Sequence, residues 1–145
     1  MKDSPTLPRP LGWAAAASAL LVGGAHLAIT GGAALAEPSG PALGDLVWVL
    51  LPPVLTLLPT VAALRLVRPE RARWALWTCG ITAVLSAVLA VMGLTPLAFG
   101  SDPASVFFGP GPYALLAAVL FTVLTVSAVR ARRGEAPRDR VRPGA

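Results

Sequence analysis

The chain has 145 residues, of which 55% are hydrophobic and only 13% charged, and its mean hydropathy is +0.70. That balance leaves too few polar groups to cover a water-soluble domain and places the chain among membrane proteins. The formal charge of +5 and the pI near 11.1 would suit nucleic acid, but the positions of the basic residues give them another use and no nucleic-acid partner is expected.

Asp, Glu, Lys and Arg are absent from residues 10–36, 46–64, 74–101 and 103–129. The shortest of these stretches would be about 28 Å long as a helix at about 1.5 Å per residue, close to a hydrocarbon core of about 30 Å. Segments such as Trp74 to Leu94 are apolar all round, whereas a soluble bundle needs a polar stripe at helical period. The expected fold is therefore all-α: an integral membrane protein of four transmembrane helices in an antiparallel bundle. The spans fall at about 11–35, 45–67, 74–96 and 112–130, giving a transmembrane domain over 11–130.

The cytoplasmic lead, residues 1–10, holds three prolines with Lys2 and Arg9. Helix 1 carries small residues at Ala15, Ala19 and Gly23 and again at Gly24, Ala28 and Gly32. Spacings of four stack such residues on helix faces, where another helix can approach closely. The helix closes on Ala34-Leu35-Ala36, a small-x-small pattern that a signal peptidase recognises. Against cleavage, the apolar stretch exceeds the roughly 7–15 residues of a signal core, so helix 1 is expected to stay.

Helix 2 contains Pro52, Pro53 and Pro59, a candidate hinge. Each proline lacks an N–H and crowds the carbonyl four residues earlier, so the helix should kink or loosen there, with a packing kink the simpler reading. Arg68-Pro69-Glu70-Arg71 joins helices 2 and 3 by a tight turn. Trp13, Trp74 and Trp77 at one boundary, with Trp48 and Tyr113 at the other, fit aromatic belts.

Between helices 3 and 4, residues 95–112 are rich in Pro, Gly and Phe. Ser101 or Asp102 can cap a short turn starting at Pro103 and presenting Val106, Phe107 and Phe108, either a turn lying in the interface or a docking patch. The basic tail, 131–145, has the composition of a disordered segment.

All twelve basic residues lie before the first span, between the second and third, or after the fourth, while the other two connections carry only Glu37, Asp45 and Asp102. This bias predicts both termini and the middle connection in the cytoplasm, N-in and C-in. Eleven arginines against one lysine, with abundant Ala, Gly and Pro, read as a bacterial chain, and hence a multi-pass protein of the bacterial inner membrane.

Chemistry is sparse. The single lysine lies in the lead, which excludes a retinal or pyridoxal Schiff base, and the single histidine excludes bis-histidine haem. No GxGxxG, P-loop or HExxH pattern occurs, and no metal or cofactor set is assembled. The first span lacks the membrane-embedded glutamate of small multidrug-resistance exporters. The lone Cys79 excludes the CxxC of four-span quinone reductases of the vitamin K epoxide type. No catalytic residue is assigned. One polar layer is expected: about ten residues in from one boundary, each span reaches His26, Thr56, Ser86 or Thr122. His26 is expected to face inward and bond Thr56, Ser86, Thr122 or the Leu55 carbonyl freed by Pro59.

The expected function is that of a structural or accessory subunit, whose partners are the lipid bilayer and another membrane protein or a second copy of itself. A small oligomeric transporter or channel is the alternative, resting on His26 alone. A membrane-embedded enzyme is the weakest, since nucleophile-base pairs are missing.

Overall fold

A computed structural model describes residues 7–36, 40, 42–68, 72–100, 102, 103, 106 and 109–134. Four helices account for nearly all of them: α1 (Arg9–Ala36), α2 (Leu43–Leu66), α3 (Arg73–Ala98) and α4 (Pro110–Gly134). All four are long and apolar enough to cross a membrane. The Pro69-Glu70-Arg71 turn, Phe107, Phe108 and residues 135–145 lie outside the described residues.

The ends of the helices follow from local chemistry. The carboxylate of Asp45 accepts a hydrogen bond of 3.0 Å from the Ala42 amide, and its charge in the first turn suits the positive end of the α2 dipole. Pro96 falls inside α3 rather than ending it; so near the C-terminus its missing N–H removes one bond only. The helix stops at Ala98, and two residues on Gly100 takes φ +80° and its amide returns to the Leu97 carbonyl at 3.3 Å. That left-handed conformation is open to glycine at little cost. α4 runs on through Arg132 and Arg133 to Gly134, so the first residues of the expected tail are helical. Ala and Arg are good helix formers, and cations in a last turn offset the negative end of the dipole.

α1 packs along α2 and α4, and α3 packs along α4 and α2; α2 and α4 barely touch. The helices thus form a ring in sequence order. Register can be read where glycines let backbones close: a Cβ at Gly12 would lie 2.6 Å from Val67 Cγ1, one at Gly23 2.6 Å from Thr56 Oγ1, and one at Gly31 3.6 Å from Val49 Cγ1. As α1 advances its partners on α2 recede. On the other side of the ring a Cβ at Gly111 would lie 2.9 Å from the Gly93 carbonyl carbon.

The core is built mainly of alanine. Ala15, Ala16, Ala19, Ala62, Ala63, Ala75 and Ala117 cluster around Leu66, Phe121 and Leu124, all buried. Small side chains let helices approach closely, which is how helices associate where no hydrophobic driving force separates them from their solvent. The larger apolar residues point outward instead. On α3 alone Val84, Leu85, Val88, Leu89, Val91 and Met92 are each at least half exposed. So continuous an apolar exterior is foreign to a protein that meets water.

Candidate functional site

The small residues of α1 divide into two faces. Ala15, Ala19 and Gly23 are buried; Gly24, Ala28 and Gly32 are exposed, and a Cβ added at Gly24 or Gly32 would meet nothing within 4 Å. Two small-residue stripes one position apart point about 100° away from each other on a helix, and here only one of them faces neighbouring helices.

Hydroxyl groups in this fold mostly look after themselves. Ser18 donates to the Ala15 carbonyl at 2.7 Å, Thr30 to His26 O at 2.7 Å, Thr60 to Thr56 O at 2.7 Å and Thr82 to Thr78 O at 2.8 Å. Each is a bond back along its own helix, the usual solution for Ser and Thr away from water.

His26 does otherwise. Its Nε2 reaches across to α2 and lies 3.0 Å from the Trp48 carbonyl oxygen. In an uninterrupted helix that oxygen would accept the amide hydrogen of residue 52, but residue 52 is proline and has none. The carbonyl is left open by one helix and taken up by a side chain of the next. Because a carbonyl oxygen only accepts, the geometry assigns the hydrogen to Nε2 and leaves the lone pair on Nδ1.

This corrects the expected pairing. His26 does bond a proline-freed carbonyl of α2, but through Pro52 rather than Pro59, so the acceptor is Trp48 and not Leu55. Gly23 beside Thr56 and Gly31 beside Val49 put His26 level with about residue 53 of α2, so its imidazole reaches about a turn along α2 to meet the Trp48 oxygen. Counting depth residue by residue misses that offset. The expected polar layer does not close either. Thr122 is exposed and Ser86 is buried on α3, while Thr56 shares the His26 site. The Thr56 hydroxyl donates to the Pro53 carbonyl at 2.6 Å.

Both His26 and Thr56 line a cavity of about 440 Å³ to which all four helices contribute, with Gly23, Pro52, Met92 and Ala114 among its walls. The room arises where side chains are small: glycine on α1, glycine on α3 and alanine on α4. Met92 and its neighbour Leu89, also on the wall, are 66% and 51% exposed, so the cavity opens sideways past α3. Pro52 and Pro53 are half-buried and Pro59 is buried, all three within one continuous α2.

The chain matches no family model, no curated protein and no solved structure. The site must speak through its own geometry. Among the described residues no three of His, Cys, Asp and Glu come together, and Cys79, a free thiol, is buried in the alanine core. The parts that sequence reasoning missed are Pro52 as the residue that frees an acceptor, and Met92, Gly93 and Ala114 as walls. Pro52 stands four residues after Trp48 in the sequence, and that spacing was the available signal.

Proposed function

We propose that the chain is a four-span integral membrane protein of the bacterial inner membrane. In this reading it is an antiparallel bundle with both termini and the α2–α3 connection in the cytoplasm, acting as an accessory subunit that packs against a helix of another membrane protein. The observation that carries this reading is the open face of α1. Gly24, Ala28 and Gly32 stand at spacings of four, exposed, and a Cβ at either glycine meets nothing. Small residues at this spacing permit the close helix contact on which membrane association depends. The receding register of α1 against α2, and the arginines Arg9, Arg65, Arg68, Arg73 and Arg130 at helix ends, support the antiparallel arrangement and the orientation.

Affinity purification of the full chain from native membranes tests the role: a stoichiometric partner lost on Gly24→Leu and Ala28→Leu supports it, and a chain recovered alone refutes it. Recovery as a homo-oligomer would favour the second reading, a small transporter, which has the His26 cavity on its side. Topology is tested separately. Reporters fused after Glu37 or Asp102 should be active outside and those after Pro69 or Pro137 inside; an internal signal from the Asp102 fusion would end the four-span arrangement.

A further inference from the structure

The cavity beside His26 has a one-sided hydrogen-bonding character, and that character selects a ligand. Its two polar side chains both direct their hydrogens elsewhere: His26 Nε2–H to the Trp48 carbonyl at 3.0 Å, and Thr56 Oγ1–H to the Pro53 carbonyl at 2.6 Å. What these bonds leave over, on two side chains that line the cavity, is a lone pair on His26 Nδ1 and the lone pairs of Thr56 Oγ1, acceptors both. Among the described residues no charged one lines it. At about 440 Å³ its volume falls within the roughly 300–1,000 Å³ of small-molecule sites, which are likewise mostly apolar with a few placed polar groups.

We propose that this cavity binds an uncharged, lipid-soluble molecule with a hydroxyl head, which donates its O–H to His26 Nδ1 or Thr56 Oγ1 and lays its apolar body against the remaining walls. A ligand headed by a ketone, ester or ether brings another acceptor to a wall of acceptors and leaves its own oxygen unpaired. A hydroxyl is matched. The route in is lateral, past the exposed Leu89 and Met92, and methionine is the side chain best able to move aside for an irregular guest. The proposal rests on the membrane placement above but not on the accessory role, and the reporter fusions test that placement independently.

The experiment uses the purified full chain in phosphatidylcholine vesicles and a long-chain alcohol carrying a photoreactive diazirine. Cross-linked positions are mapped by peptide mass spectrometry. Labelling is expected on the peptides holding Val22 to His26 and Leu89 to Gly93, and dodecanol should compete about five- to tenfold better than its methyl ether, the discrimination of one intramembrane hydrogen bond. Ala114→Leu, which fills the cavity from α4, should abolish that labelling. The paired change His26→Leu with Thr56→Val, which removes both acceptors while Thr56→Val keeps its shape, should erase the preference for alcohol over ether. Equal competition by dodecanol, its ether and dodecane on the unmodified chain would overturn the proposal, and that comparison requires no variant to fold. So would labelling spread evenly over the exposed faces and indifferent to Ala114→Leu.

Discussion

The alanine core and the His26 cavity are made from the same stock of small residues, yet one is closed and the other open. In the core, Ala15, Ala19, Ala63 and Ala75 bring the helices together, and the gaps left between them are filled by Phe121, Leu66 and Leu124, each fully buried. Around His26, Gly23, Gly93 and Ala114 make similar room, but the large neighbours Leu89 and Met92 turn outward. Small residues alone do not decide whether this helical bundle is packed or hollow; the direction of the few large ones does.

The sharpest way to break this contrast is to empty the core. Phe121→Ala removes about 100 Å³ of side chain, and at about 24 cal/mol per Å³ of residual cavity should cost about 2–3 kcal/mol. Thermal unfolding in detergent reads this out, and a melting temperature within a degree of the parent would show that the core carries little of the stability. Next come the close approaches. Gly111→Leu drives a Cβ to 2.9 Å from the Gly93 carbonyl carbon, a backbone atom that cannot swing away, and should cost about 1–3 kcal/mol. Gly24→Leu, with nothing within 4 Å of its Cβ, should stay within about 0.5 kcal/mol in the same melt. Equal losses for both would contradict the assignment of the α1 faces.

A loss smaller than that of Phe121→Ala belongs to the cavity. His26→Leu leaves the Trp48 carbonyl without its partner and should cost about 0.6–1.7 kcal/mol, the range of hydrogen bonds between membrane helices. Pairing it with Pro52→Ala sharpens the comparison, because that change returns the amide hydrogen which Trp48 O lacks. The double variant should recover most of the loss, and no recovery would mean that His26 stabilises the bundle by some contact other than this bond.

The positions of the four helices were legible in the sequence because charge is excluded from each of them for about 19 residues or more, a one-dimensional signal that no packing detail can blur. Rotation about the helix axis was not legible. Ala15 and Ala28 look alike as small residues, and so do Gly23 and Gly24, which are neighbours; which faces a helix is set by contacts with residues far away in the chain. α1 and α3 are apolar all round, so no amphipathic stripe announces the inner side. The histidine-to-carbonyl bond was half legible for the same reason: that a proline of α2 would leave an acceptor follows from covalent structure, while the choice of Pro52 over Pro59 depends on register.

The Pro52 gap also bears on how the chain is made. A helix that enters hydrocarbon on its own must satisfy its backbone from within, and α2 cannot do so at Trp48. Its missing donor sits on α1, synthesised some twenty residues earlier. Under the proposed membrane placement, the two segments therefore have reason to enter hydrocarbon together as a hairpin, with the imidazole already beside the Trp48 carbonyl.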